Sequence, residues 1–97
     1  MADVKVTLSF NAKKEIATDP NPVRVHPGDT ISWKSDEGDV SVSFADAPLD
    51  GARHFSSKKG EHTPKAKVRS DAPTGHFDCT ASIGGKVAKA YGIDIIP

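Results

Sequence analysis

One cysteine, one methionine, one tryptophan and one tyrosine occur among 97 residues, and 13 Lys+Arg cancel 13 Asp+Glu. Each scarcity excludes something. A single cysteine leaves no intrachain disulfide and no cysteine-rich zinc site. A formal charge of zero argues against a non-specific nucleic-acid binder, which needs surplus cations to neutralise phosphates. No apolar run approaches the ~18–20 residues that a membrane-crossing helix needs, so no membrane insertion is expected. Met1-Ala2-Asp3 opens without a charged-then-apolar leader. The length suits one soluble domain, residues 1–97, around one core.

What is present is a series of short alternating segments. Val4, Val6, Leu8 and Phe10 alternate with Lys5, Thr7 and Ser9, the mark of a half-buried strand. Val23-Arg24-Val25 is a second apolar run, followed by His26 and closed by the turn residues Pro27-Gly28-Asp29. Ile31 and Trp33 share a face of the next strand, and Trp33 is expected in the core. Val40, Val42 and Phe44 alternate with Ser41 and Ser43. Residues 45–64 have no clear period and read as a long excursion with at most one helical turn; loops of this length are often functional or loosely ordered. Ala66 to Arg69 is a short strand. Phe77 and Cys79 face inward from another. Ile83-Gly84-Gly85 is a break, and residues 87–96 form the closing strand, with Val87, Tyr91, Ile93 and Ile95 on one face. The first strand is expected to pair near it. No segment keeps a helical i, i+3, i+4 pattern. The spacing predicts an all-β, antiparallel sandwich or barrel of seven to eight strands.

The chemistry-bearing residues are few. Cys79 reads first as a buried, hydrophobe-like thiol. A reactive thiol would need a neighbouring cation, for which Lys86 and Lys89 are the candidates. Of the four histidines (His26, His54, His62 and His76) no pair has the i, i+4 spacing of a helical metal site. Alternation places His76 on the face opposite Cys79. His54 and His62 share the excursion; with Cys79 they are a conceivable metal set, with solvated histidines as the plainer reading. Asp36, Glu37 and Asp39 cluster in one polar loop, where their oxygens suit a hard cation or merely a solvated turn. Ser82-Ile83-Gly84-Gly85-Lys86 is glycine-rich without the spacing of a phosphate loop. Lys58, Lys59 and Lys65, beside Glu61, read as a solvated basic stretch. No nucleophile-elbow context occurs, and no enzyme is expected.

The ordered combination of segments resembles the cupredoxins, the plastocyanin- and azurin-type copper proteins. Residues 23–33, Val-Arg-Val-His-Pro-Gly-Asp-Thr-Ile-Ser-Trp, are similar to the family's strand, Pro-Gly-Asp turn and following aromatic strand. Residues 40–44 resemble the strand after the first copper-ligand histidine. Gly75-His76-Phe77-Asp78-Cys79 resembles the approach to the copper cysteine. The resemblance implies a Greek-key sandwich of two sheets. It does not carry over the copper site, which needs a thiolate, two imidazoles and commonly an axial thioether. The first histidine position falls on Asp39 or Val40, the second on Ser82, and the methionine position on Val87, or on Lys86 with a one-residue shift. Only Cys79 survives, and no His or Met follows it. The expectation is a copper-free, monomeric binding or interaction module without a cofactor. Asp36, Glu37, Asp39, Ser82 and Lys86 are its candidate ligand-facing residues, and residues 45–64 are a second candidate surface. The partner is an unidentified protein, a carbohydrate or other small ligand, or another chain of the same kind. The alternative is copper binding, trafficking or electron transfer through an atypical site built from Cys79 and a histidine. Family members are mostly exported, so the resemblance favours an extracytoplasmic or periplasmic location if a signal peptide has been removed.

Overall fold

The structure, a computed structural model, describes residues 2–97, apart from the side chains of residues 88–91. The expected inward face of Tyr91 and the proximity of Lys89 to the thiol lie outside the described side chains. Ten strands form in chain order: β1 Asp3–Phe10, β2 Ile16–Asp19, β3 Arg24–Val25, β4 Thr30–Lys34, β5 Val40–Phe44, β6 Leu49–Asp50, β7 His54–Ser57, β8 Ala66–Val68, β9 Gly75–Ile83 and β10 Lys86–Ile95. There is no helix among the described residues. The all-β class is as expected.

The count and the pairing are not. Three strands lie where no strand was expected: β2, β6 and β7, the last two inside the aperiodic excursion. The sheets are ordered β2-β1-β4-β8-β6 and β3-β10-β9-β5-β7. They are mixed rather than purely antiparallel, because β1 runs parallel to β4 and β10 parallel to β3. The first and last strands lie in different sheets, correcting the expected pairing. Periodicity shows which face of a strand is apolar but carries no information on its neighbour.

The alternation read from β1, β4 and β5 holds. Val6, Leu8, Ile31, Trp33, Val40, Val42 and Phe44 are all buried between the two sheets. Trp33 is 2% exposed, and its ring lies 5.6 Å from those of both Phe44 and Phe55 in tilted geometry. Each fully buried aliphatic or aromatic side chain contributes roughly 1.5–3 kcal/mol. An exposed ion pair such as Lys65–Asp3, at 3.2 Å, is screened by solvent, so the apolar interior dominates.

The Pro27-Gly28-Asp29 turn is stitched by a buried carboxylate. Asp29 accepts the backbone N–H groups of Ala2 and His26, each at 2.8 Å. Burial pushes its carboxyl up, but those two bonds outweigh the effect and hold it below the ordinary carboxylate value. The excursion is tethered as well. Gly60 N–H donates to Ser35 O, Thr63 N–H donates to Trp33 O, and Trp33 N–H donates to the buried Thr63 hydroxyl.

The β9–β10 ladder contains one irregularity. Between the pairs Ala90–Cys79 and Ile93–Phe77, β10 advances three residues while β9 advances two. Such a bulge inserts one residue and reverses the inside–outside alternation beyond it. Val87 therefore points outward, 70% exposed, whereas Ile93 and Ile95 are buried. This corrects the expectation that all three share a face. Gly92, at φ +85°, makes the bulge feasible: a Cβ there would collide with the Phe77 carbonyl oxygen and lie 2.8 Å from Asp78 Cα. Gly92→Ala is expected to lose at least ~2 kcal/mol of stability. Gly85→Ala, also at positive φ but with open space around it, should lose about 1–2 kcal/mol. Urea denaturation of both variants checks this, and equal losses would refute the clash.

Candidate functional site

The turn joining β9 to β10 sets the geometry of this end of the sandwich. Its two central residues, Gly84 and Gly85, have φ of 60° and 87°. Two successive positive φ values characterise the tight two-residue hairpin. What reads as a break is thus a continuous hairpin in which Ser82 pairs with Val87 and Cys79 with Ala90. The residue 36–39 loop abuts it: Gly84 N–H donates to Asp39 O at 2.8 Å, and a Cβ on Gly38 would lie 2.8 Å from Gly84 N.

The positions that the resemblance matches to copper ligands do not converge. Cys79 is 6% exposed and faces the core. Ser82 and Val87 are on the opposite, outer face. Asp39 precedes Val40, which pairs with Ile83, whereas Cys79 pairs with Phe44 at the other end of β5. Four residues of strand separate those pairs, roughly 13 Å at ~3.3 Å per residue.

The acidic trio is also dispersed. Glu37 accepts the Phe10 N–H at 2.8 Å, and Asp39 accepts the Lys59 N–H at 2.9 Å. Asp36 lies 4.0 Å from Lys34 Nζ. These carboxylates tie three different segments to the loop. Among the described residues, no group of three His, Cys, Asp or Glu side chains could hold a metal ion. Lys86 extends over the Phe10 ring, 5.9 Å from its centroid, within cation–π range.

Two of the candidate residues do meet. Asp39 and Ser82 line an open groove of 530 Å³ together with Ser41, Ser56, Ser57, Lys58, Glu61 and His62. Asp36, Glu37 and Lys86 do not line it. The groove offers hydroxyls that donate and accept, two carboxylates, one ammonium and one imidazole. Among the described residues, no Phe, Tyr or Trp side chain lines it. Ser57 Oγ is buried at its border without a hydrogen-bond partner. The contributions of Glu61, His62 and the β7 serines escape sequence reading, because only the tethering of the excursion brings them beside β5.

Burial pushes the Cys79 thiol up to about 11, the Asp78 charge adds to this, and the Gly92 N–H acts in the opposite direction. The group is a neutral thiol at ordinary pH. His76 faces outward, as alternation implies; its Nδ1 lies 2.6 Å from Asp94 and its Nε2 2.6 Å from Asp78. The Asp94 bond first, and the Asp78 bond second, raise its pKa above the ordinary histidine value. His26 Nδ1 lies 3.0 Å from Pro97 O. His54 lies on the outer face of the second sheet, with ring nitrogens 2.6 Å from Ser43 Oγ and 3.4 Å from Ser41 Oγ. It therefore does not share a side of the sheet with the Cys79 thiol. The Ser43–His54 hydrogen bond escapes sequence reading, because cross-strand register creates it.

Two outcomes follow from these titrations. Cys79 should react with a disulfide reagent at neutral pH far more slowly in the native protein than in urea; equal rates would contradict its burial. Because His76 has a raised folded-state pKa, its stabilising effect is complete below the ordinary histidine value. That effect is lost as pH rises through the folded value. In an NMR titration, Asp94→Asn should move the His76 midpoint down, and an unchanged midpoint would contradict the contact.

No protein-family profile matches this sequence, and no curated protein matches it.

Proposed function

We propose that this chain is a copper-free, cupredoxin-like Greek-key sandwich that works as a binding module, with the Asp39–Ser82 groove as its ligand surface. The observation that carries the copper-free part is the β9–β10 hairpin. It turns Cys79 into the core and Ser82 and Val87 outward, which supports reading the matched positions as no longer forming a copper site. The cupredoxin-like part is supported by the order of the matching segments and by two stacked mixed sheets in which β1 runs parallel to β4.

The groove favours a small, polar ligand. Serine hydroxyls from β5, β7 and β9 present donors and acceptors side by side, with Lys58 opposed by Asp39 and Glu61. Such a lining suits a hydroxylated or zwitterionic molecule better than a flat aromatic one, which needs stacking surface. The groove is assembled from rigid strands on one side and the tethered excursion on the other, so little ordering entropy opposes binding.

Two measurements test this reading. Titration of the reduced protein with Cu(II) should give no intense blue thiolate-to-copper band; that band would establish the atypical copper site instead. An NMR titration with a panel of monosaccharides and amino acids should shift the amides of Ser41, Glu61, His62 and Ser82 together. Ser82→Arg should weaken that binding roughly tenfold, about 1.4 kcal/mol. Shifts confined to another face, or no shifts from any member of the panel, would overturn the assignment of the groove.

A further inference from the structure

The outer face of the second sheet carries a serine that the groove does not use. Ser43 on β5 pairs with His54 on β7 on one side and with Thr80 on β9 on the other. Its hydroxyl lies 2.6 Å from His54 Nδ1. The other ring nitrogen, Nε2, lies 3.4 Å from Ser41 Oγ. A neutral imidazole has one N–H donor and one lone pair. In the tautomer that carries its proton on Nε2, Nε2–H donates to Ser41, Nδ1 accepts and Ser43 O–H donates. This is the arrangement that activates a serine: a base within hydrogen-bond reach, itself oriented by a third group. Two shallow hollows meet at Ser43. One, of 260 Å³, also touches Ala45, Asp78, Cys79 and Thr80; the other, of 170 Å³, touches Ser41, Thr80, Ser82 and Val87. Both have room for a short acyl chain and include apolar atoms.

We propose that Ser43 is an activated nucleophile that captures one short acyl group from an activated ester, with His54 as its base and Ser41 as a positioning residue. Ser43 Oγ forms a bond to the acyl carbon, and the carbon–oxygen bond to the leaving alcohol breaks. The serine proton passes to His54 Nδ1 and from there to the leaving oxygen or to solvent. Thr80 pairs with Ser43 across β5 and β9, and its hydroxyl is the donor we assign to the developing oxyanion. The leaving alcohol of an activated ester departs far more readily than the serine alkoxide of the product ester, so acyl transfer to Ser43 is expected to outpace release of the acyl group to water. The result is a single capture event rather than sustained turnover. The site borders the groove and shares Ser41 with it, but acylation of Ser43, which does not line the groove, is read out independently of ligand binding there.

The test is to mix the native protein with p-nitrophenyl acetate, follow p-nitrophenolate release, and map the acetyl group by mass spectrometry. The expected result is a burst of about one equivalent, with the acetyl on Ser43. The burst should be absent in Ser43→Ala and slowed at least roughly tenfold in His54→Ala. Ser41→Ala should slow it, and Ser41→Thr, which restores a hydroxyl, should recover it. All four substitutions are at surface positions, and circular dichroism should show an unchanged fold. An acetyl group on His54 or on lysines, or a burst retained in Ser43→Ala, would overturn the proposal. So would a native protein that releases no more p-nitrophenolate than the Ser43→Ala variant.

Discussion

The extra residue in β10 is the constraint on which the arrangement of this sandwich depends. One residue inserted opposite Asp78 reverses the alternation of the closing strand. Beyond it, Ile93 and Ile95 point into the interior; before it, Val87 points out. Without that reversal Val87, Ile93 and Ile95 would share one face. Gly92 makes the bulge sterically feasible, and its N–H also lies beside the Cys79 sulfur. Backbone geometry, core composition and the character of the lone thiol therefore meet at one place.

The same hairpin shapes the two surfaces that bear chemistry. Its tight glycine turn lets the residue 36–39 loop close against it, and the groove opens between that junction and the tethered excursion. On the outer face, the register of β7, β5 and β9 aligns short hydroxyl side chains across three strands, with His54 lying beside two of them. Neither surface uses the Cys79 thiol, which faces the core. The second sheet thus divides its labour by face, with packing inside and polar chemistry outside.

Much of the interior was legible from the sequence. Alternation along β1, β4, β5 and β9 identified Val6, Leu8, Ile31, Trp33, Val42, Phe44 and Cys79 as inward-facing, because a strand has a strict period of two. The candidate site was legible only in part. Asp39 and Ser82 do meet in a groove, but Asp36, Glu37 and Lys86 are drawn to Lys34, to the Phe10 amide and to the Phe10 ring. A charged residue in a loop advertises its chemistry and not its direction. The short strands β6 and β7 were hidden because two to four residues give too few turns of alternation to register as a pattern.

The sequence by itself determined the all-β class, the apolar face of most strands and the lack of any intrachain disulfide. These depend on composition and on local periodicity, which neighbours along the chain decide. Only the tertiary structure decided which strands pair, that two pairs run parallel, and that Val87 faces water. It alone brought Asp39 to Ser82 and Ser43 to His54. Those outcomes depend on contacts between residues far apart in the chain, where hydrogen-bond register and a single inserted residue choose among arrangements that satisfy the same local pattern.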